Sequence, residues 1–274
     1  MSTTNELEIR RDDNGIVWVT LDRPDKLNAL NWGMLQGLHD LFLSLPDDRE
    51  ARIVVLRGRG RGFCGGVDMG DTPYVKALLA DGPIEERSVA MGLRSQQWQS
   101  RLVLEMRRAP QPIIALVHGP AYGAGLALAL AADVLLVGAS ARLSAAFIKV
   151  GLSGCDMGVS YFLSRALGLS CAAEIMLTGD PFSAERAVEL GLASRMVADE
   201  ELEAAASQLA ERMLANTPLG LRLTKECLRF SFDAPGLEAA IAMEDRNQML
   251  ASGQDAMEAF KAAREKRKPK FLPG

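Results

Sequence analysis

Short apolar runs rich in β-branched residues alternate along most of this chain with longer stretches in which apolar residues recur every three or four positions. The runs predict strands and the longer stretches predict amphipathic helices. This alternation indicates an α/β fold with a mostly interior sheet. The predicted strands are Ile16–Pro24 (running into a loop), Ile53–Leu56, Pro112–Gly119 and Asp133–Ala139. The predicted helices are Leu27–Leu45, Ile84–Arg108, Ala124–Ala132 and Met157–Leu167.

The strand pattern ends near residue 198, and the remaining stretches predict helices only. We therefore predict an α/β core over residues 1–198 and a helical region over residues 199–274. The apolar faces of the predicted C-terminal helices are rich in Met, Leu and Ala, which indicates packing on a neighbour, such as another subunit. Residues 70–83 contain two prolines and predict an irregular segment.

Charge and composition exclude several classes of protein. The net charge of −4 is mild and gives no reason to expect nucleic acid binding. No apolar segment is long enough to span a bilayer comfortably, and the first residues contain no secretory signal, so no membrane partner is expected. The four cysteines are scattered, which indicates reduced thiols in the cytoplasm, and the two histidines form no HExxH motif. A metal site is therefore disfavoured.

Four stretches carry a family resemblance. In order they are LDRPDKLNAL (Leu21–Leu30), GRGFCGGVDM (Gly60–Met69), IIALVHGPAYGAGLALALAAD (Ile113–Asp133) and AFIKVGLSGCDMGVSYFLSRALG (Ala146–Gly168). Together, with their spacing intact, they resemble the crotonase (enoyl-CoA hydratase/isomerase) superfamily. The resemblance implies a spiral of ββα repeats with a C-terminal helical trimerisation region. It also implies a homotrimer or a hexamer, an acyl-CoA thioester as substrate and no further cofactor.

The resemblance further implies an oxyanion hole that stabilises a thioester enolate. Its two donors would be the backbone N–H groups of Val67 and Ala124. Gly66, Gly123 and Gly125 would keep side chains out of the way, and the dipole of the helix that begins at Ala124 would favour the anion. The alternative is that these small residues only allow a strand and a helix to pack closely. A dinucleotide site is excluded because GPAYGAG is not GxGxxG.

Coenzyme A contacts are also implied by the resemblance. Arg23 and Lys26, followed by Leu27, lie in the loop that the family uses for the phosphates, although exposed cations are more often simply solvated. The segment from Val67 to Gly70, which includes Asp68 and Met69, would flank the adenine and pantetheine largely through its backbone. The basic tail Lys266–Lys268 would either reach the ligand of a neighbouring subunit or remain solvated.

The sequence departs from the family at the two positions where hydratases carry glutamates that position water and transfer protons. These positions hold Ala127 and Phe147, and neither side chain can move a proton. Asp156 is the candidate acid/base, in a loop that lines the acyl pocket of the family. The competing interpretation is that Asp156 caps the helix predicted from Met157.

Other candidates have weaker support. Tyr74, Glu85 and Glu86 are ionisable and lie in or near the irregular segment, Cys155 has no histidine partner nearby in the sequence, and His118 is interpreted as structural. Three functions remain open at this point. The first is an enzyme of the enoyl-CoA hydratase or double-bond isomerase type. The second is a protein that binds acyl-CoA without chemistry, and the third is a thioester hydrolase or a carbon–carbon lyase.

Overall fold

The computed structural model describes residues 6–71 and 89–271 of the chain. Within them, strands and helices alternate as the sequence predicts until the last strand ends at Val197, after which only helices follow. The strands are β1 (Leu7–Arg11), β2 (Ile16–Leu21), β3 (Ile53–Gly58), β4 (Ile113–Val117), β5 (Pro120–Tyr122), β6 (Val134–Gly138), β7 (Arg142–Ser144), β8 (Phe182–Ser183) and β9 (Arg195–Val197).

The helices lie between the strands along the chain and, after β9, follow one another. They are α1 (Trp32–Ser44), α2 (Val89–Arg108), α3 (Ala124–Ala131), α4 (Val159–Leu167), α5 (Leu169–Thr178), α6 (Ala184–Glu189), α7 (Leu202–Leu214), α8 (Pro218–Ser231), α9 (Leu237–Ala251) and α10 (Gln254–Glu265). Short 3₁₀ turns include Pro24–Lys26 and Ala146–Val150. No helix in residues 6–71 or 89–271 is long and apolar enough to cross a membrane.

The main sheet is interior and mostly parallel, as expected from its apolar strands. Within the described residues it has six strands in the order β1-β2-β3-β4-β6-β9, and only the β1–β2 pair is antiparallel. Successive side chains of β2 enter opposite cores because strand side chains alternate between faces. Val17 and Val19 join the larger core with α1 to α3, whereas Trp18 packs with Leu202 and Ala206 of α7.

A smaller sheet lies beside the main one. It contains β5, β7 and β8, with β5 parallel to β7 and β7 antiparallel to β8. Because β5 directly precedes α3, this small sheet fixes where α3 begins.

Two predicted helix starts are wrong for the same physical reason. The helix predicted from Leu27 begins at Trp32, because Leu27 and Asn28 adopt positive φ angles of 50° and 56° and Asn31 caps the helix by accepting a hydrogen bond from the Met34 amide (2.9 Å). The helix predicted from Met157 begins at Val159, because Met157 has a φ of 45°. Left-handed residues cannot continue a right-handed helix.

The C-terminal helices are anchored to the core by a buried ion pair. Lys225 of α8 is 6% exposed and lies 2.8 Å from Asp133 Oδ2, at the start of β6. Its ammonium group also donates to the Gln111 carbonyl at 2.8 Å. Helix α7 packs directly on the main sheet, so the boundary near residue 199 marks the end of the strands and stays a prediction as a domain division.

Candidate active site

The ends of two strand segments meet where the sequence predicts the oxyanion hole. The chain after β3 runs parallel to β5, since the Cys64 amide donates to the Pro120 carbonyl (3.0 Å) and the Tyr122 amide donates to the Cys64 carbonyl (2.9 Å). The segment that continues from Cys64 to Val67 therefore lies beside the first turn of α3.

Glycines permit this close approach. A Cβ atom on Gly125 would lie 2.2 Å from the Cys64 carbonyl oxygen, so α3 can pack here only without a side chain. Gly66 and Gly123 have φ angles of +112° and +52°, which side-chain-bearing residues rarely adopt. A Cβ atom on Gly66 would lie 4.0 Å from the Ala124 nitrogen, which shows that the two loops are adjacent.

Two backbone amides in these loops have no hydrogen-bond acceptor among the described residues. Leu30 pairs with the residues on either side of Val67: its amide donates to the Gly66 carbonyl (2.7 Å) and its carbonyl accepts from the Asp68 amide (2.9 Å). This pairing leaves the Val67 amide directed away from Leu30. Ala124 is the first residue of α3, so its amide has no acceptor within the helix. Two such neighbouring donors can bind one negatively charged oxygen.

The two positions that carry glutamates in family hydratases are occupied by apolar residues here. Ala127 lies one turn into α3 and is fully buried. Phe147 is buried in the 3₁₀ turn Ala146–Val150, and its ring lies 3.4 Å from where a Cβ on Gly123 would be. The Phe147 ring therefore forms an apolar wall beside the first turn of α3, and neither position can transfer a proton.

Asp156 supplies a carboxylate on a cleft of ≈ 430 Å³. Its Oδ1 atom accepts hydrogen bonds from the Met157 amide (2.6 Å) and from the side chain of Gln96 on α2. Burial raises the pKa of Asp156 above its ordinary value, although both hydrogen bonds act in the opposite direction. Neither Val67 nor Ala124 lines this cleft. The chain from Phe147 to Asp156 runs from the apolar wall beside α3 to the cleft, with a turn in which the Leu152 amide donates to the Phe147 carbonyl (3.2 Å).

The alternative role of Asp156 as a helix cap is wrong. Helix α4 begins at Val159, and Gly158 stands at the N-cap position, with no side chain capping the helix. The Asp156 carboxylate instead accepts from the next residue's amide and from another helix. A half-buried carboxylate with a raised pKa that is not needed as a cap is a candidate for proton transfer.

Comparison with known proteins decides the family. The family model described as enoyl-CoA hydratase/isomerase matches residues 11–273. The chain belongs to this family. A Mycobacterium tuberculosis protein described as a probable enoyl-CoA hydratase is 38% identical, over 98% of this chain and 94% of its own. The 1,2-epoxyphenylacetyl-CoA isomerase of Escherichia coli is 33% identical, over 94% of this chain and 95% of its own.

Solved structures agree. The crystal structure of an enoyl-CoA hydratase from Mycobacterium smegmatis matches with a TM-score of 0.86 and 30% identity, covering 97% of this chain and 99% of that one. The family resemblance and the crotonase fold, with its C-terminal helices, are thereby confirmed. The chain is an enzyme of the enoyl-CoA hydratase/isomerase type.

In this family member, Arg23 is engaged within the protein. Its guanidinium lies 3.1 Å from Glu6 and 2.9 Å from Asp68, donates to the Ala29 carbonyl (2.6 Å), and its side chain is only 13% exposed. Burial alone would raise the pKa of Asp68, but the Gly70 amide and the Arg23 guanidinium hold it below its ordinary value. Arg23 therefore ties its loop to the segment after Gly66, which leaves it poorly available for a phosphate.

Lys26 differs from Arg23 because its side chain is exposed. Leu27, directly after it, is half-buried and accepts a hydrogen bond from the Gly65 amide through its carbonyl (2.7 Å). Met69, on the neighbouring segment, is 47% exposed. Of the two cations predicted to meet coenzyme A, Lys26 is thus the one that is exposed to solvent.

The remaining candidates either have other contacts within the protein or lie outside the described residues. His118 is half-buried and its Nε2 atom lies 2.8 Å from the Gly60 carbonyl oxygen, as expected for a structural histidine. Cys155 is exposed, with its sulfur 4.0 Å from that of Met176. Arg267 of the basic tail pairs with Glu258 and Glu265 on α10. Tyr74, Glu85 and Glu86 lie outside the described residues.

Sequence reasoning missed Gln96, which contacts Asp156 from α2. It also missed a buried pair between α1 and α2, in which His39 Nδ1 lies 2.6 Å from Glu105 Oε2. Gln96, His39 and Glu105 stand in no recognisable motif, so only the packing of the helices reveals their contacts. Within residues 6–71 and 89–271, no three His, Cys, Asp or Glu side chains converge closely enough to hold a metal ion.

Proposed function

We propose that this enzyme binds the thioester oxygen of an acyl-CoA between the amides of Val67 and Ala124 and moves a double bond along the acyl chain with Asp156 as its proton carrier. The observation that carries the proposal is the pair of neighbouring amides without acceptors, held together by the contact of Gly125 with Cys64. Such donors stabilise an enolate oxygen more than a neutral carbonyl.

A single carboxylate suffices for double-bond migration. The Asp156 carboxylate removes a proton from C2 of a 3-enoyl thioester, and the electron pair delocalises onto the thioester oxygen as a dienolate. Asp156 then returns the same proton to C4, so that the double bond moves from C3–C4 to C2–C3. No atom is gained or lost. The raised pKa of Asp156 suits a group that must both take and return a proton.

Hydration makes larger demands. A water molecule must lose a proton to a base while its oxygen attacks C3, and C2 must gain a proton. Family hydratases divide this work between two glutamates, whose positions hold Ala127 and Phe147 here. The absence of carboxylates at both positions favours isomerisation over hydration. The names of the relatives point both ways, since the Mycobacterium tuberculosis protein is described as a probable hydratase and the Escherichia coli protein is named as the isomerase of an epoxide. The choice therefore rests on Ala127 and Phe147.

Coenzyme A would meet the surface beside the two amides. Lys26 offers an exposed cation for a phosphate, and the backbone from Val67 to Gly70 would flank the adenine and pantetheine. Arg23 organises this surface through Asp68 rather than contacting the ligand. Phe147 gives the acyl group an apolar wall.

A catalytically impaired member of this enzyme family that mainly binds acyl-CoA is the second candidate, and the buried, apolar Ala127 and Phe147 favour it. The discriminating experiment offers the purified protein a panel of 3-enoyl-CoA and 2-enoyl-CoA thioesters of different chain lengths, including aryl-substituted ones. Isomerisation produces the absorbance of the conjugated 2-enoyl thioester from 3-enoyl substrates. Loss of that absorbance from 2-enoyl substrates, with a product that has gained one water molecule in mass spectrometry, would indicate hydration instead. Tight binding in calorimetry without a product in mass spectrometry would establish the second candidate.

We further propose that the C-terminal helices form a trimer interface, which is also the core of a hexamer. Large apolar side chains in these helices are exposed in the single chain; they are Leu228, Leu237, Met249, Met257 and Phe260. Large apolar side chains that are exposed in a single chain are typical of interaction sites when they lie on one surface.

Light scattering coupled to size exclusion should therefore give the mass of a trimer or a hexamer for the native chain. Met257→Glu combined with Phe260→Glu should shift it towards the monomer, because burying two carboxylates in an apolar interface is costly. Lys261→Glu, on the same helix and exposed, is the matched control. A native chain that elutes as a monomer would contradict the proposal.

A further inference from the structure

The two carboxylate oxygens of Asp156 have different surroundings. Oδ1 accepts two hydrogen bonds, one from the Met157 amide and one from the Gln96 side chain. Oδ2 accepts none from the described residues, while Asp156 itself lines the cleft that Leu152 and Gly158 also border. The carboxylate is therefore held by one oxygen and leaves the other free.

This asymmetry decides where a proton can bind. An oxygen that already accepts two N–H groups loses favourable bonds when it becomes protonated, whereas an oxygen without donors loses none. The Asp156 proton is therefore carried on Oδ2. The Met157 amide belongs to the adjacent residue and cannot be varied, so Gln96 is the side chain that sets this preference.

Gln96 is itself held in place. It lies on α2, one turn before Ser100, and its Nε2 atom also donates to the Ser100 hydroxyl (3.3 Å). An ionised carboxylate only accepts hydrogen bonds, so the amide must present its NH₂ group rather than its oxygen to Asp156. Helix α2 therefore places a neutral donor opposite a carboxylate that lies 60 residues further along the chain.

We propose that Gln96 is a positioning residue that holds Asp156 by Oδ1, so that Oδ2 takes the substrate proton and returns it. This inference rests on the proposed role of Asp156 as the proton carrier. Gln96 contacts the carboxylate and not the substrate, so its effect is on the orientation and the proton affinity of Asp156.

Few other groups can account for a pH effect at this site. Of the described residues that border the cleft, α2 contributes Gln96 and Ser100, α4 contributes Ser160, and the loop contributes Cys155 as a second titratable group. None of these carries a charge near neutral pH in its ordinary ionisation state. Loss of the Gln96 hydrogen bond should therefore raise the pKa of Asp156 further, since this bond favours the ionised form.

The test compares Gln96→Met and Gln96→Glu with Gln97→Met as the matched control, because Gln97 is the exposed neighbour of Gln96 on α2 and does not border the cleft. Methionine keeps the volume without the donor, and glutamate places a second carboxylate opposite the first. We expect kcat of Gln96→Met to fall about tenfold with little change in KM. The rise of kcat/KM with pH that follows the ionisation of Asp156, which is the acidic limb of the profile, should move to higher pH. The limb should move further in Gln96→Glu because like charges disfavour ionisation. Gln97→Met should leave kcat and the pH dependence of kcat/KM unchanged.

A second readout does not require turnover. The pKa of Asp156 is measured by carbon NMR titration of labelled aspartate carboxyl groups in the native chain and the Gln96 variants, with Asp156→Asn used to assign the signal. We expect the pKa of Asp156 to be lowest in the native chain, higher in Gln96→Met and highest in Gln96→Glu. An unchanged Asp156 pKa in both folded variants would overturn the inference even if the enzyme is active. A native chain that turns over no enoyl-CoA would instead overturn the proposed function, and the titration would distinguish the two failures.

Discussion

Asp156→Asn is expected to abolish double-bond migration while leaving acyl-CoA binding intact. Asparagine has nearly the same shape but cannot take up and return a proton. General acid–base catalysis is worth on the order of 10²–10⁴-fold, and kcat should fall by that amount. The rate is measured from the absorbance of the conjugated product, and the dissociation constant of a saturated acyl-CoA is measured by calorimetry. Unchanged binding is expected because the proposed thioester contacts are the amides of Val67 and Ala124, which the substitution leaves in place.

The pH dependence of the native enzyme belongs to the same prediction. Asp156 must be ionised to remove a proton, so kcat/KM should rise with pH as the carboxyl group loses its own. Because burial raises the pKa of Asp156, this rise should occur above the range of an ordinary aspartate. Without Asp156, any residual activity should no longer show this limb.

Cys155→Ala is the matched control for Asp156→Asn. It changes the adjacent, exposed residue of the same loop and should leave kcat and the pH profile unchanged. Full activity of Asp156→Asn would contradict the proposed mechanism and direct attention to Tyr74, Glu85 and Glu86. Lost activity in Cys155→Ala would favour a covalent route through the thiol.

The sequence predicts the interiors of the elements better than their starts. The strands at Ile53 and Ile113 are continuous apolar runs, and a buried parallel strand requires nothing more than such a run. The start of α1 depends instead on Leu27 and Asn28, which adopt left-handed conformations without being glycines. Their conformation is imposed by hydrogen bonds of Asn28 to the carbonyls of Arg59 and Gly62, far along the chain. Local periodicity carries no sign of those contacts.

The candidate site divides in the same way. The glycines next to Val67 and Ala124 indicate that two backbone segments approach closely. The family resemblance and the local sequence pattern therefore predict the same pair of amide donors. The ion pairs of Arg23 could not be predicted, because its partners Glu6 and Asp68 come from different segments of the chain. Gln96 gives no signal at all, since a glutamine on a predicted helix is ordinary. A long-range partner decides its role.

Gly125→Ala should be the second most damaging substitution, although Gly125 supplies neither a proton nor a hydrogen bond to the substrate. Its new Cβ atom would lie 2.2 Å from the Cys64 carbonyl oxygen and 2.8 Å from the Cys64 Cβ, which is backbone and its attached carbon rather than a flexible side-chain end. Helix α3 and the Cys64–Val67 segment must therefore move apart, and the amides of Ala124 and Val67 move with them.

Separating two donors that converge on one oxygen should cost about as much as losing one of them, which is on the order of 10²–10³ in kcat. Overpacking should also lower the free energy of unfolding by about 1–3 kcal/mol, measured by denaturant titration. The dissociation constant should change less than kcat, because the proposed coenzyme A contacts at Lys26 and the Val67–Gly70 backbone do not depend on the charge that develops in the dienolate.

The carbonyl itself can report the displacement. The infrared stretch of a ¹³C-labelled thioester should move to lower frequency on binding to the native enzyme, because two N–H groups polarise it, and the shift should be smaller in Gly125→Ala. Gly253→Ala is the matched control, since a Cβ atom there meets nothing within 4 Å. A folded Gly125→Ala enzyme with the native carbonyl shift and the native kcat would show that the thioester oxygen binds elsewhere. A reduced shift with a proportionate loss of kcat would tie catalysis to the two amides, whose chemistry needs no side chain.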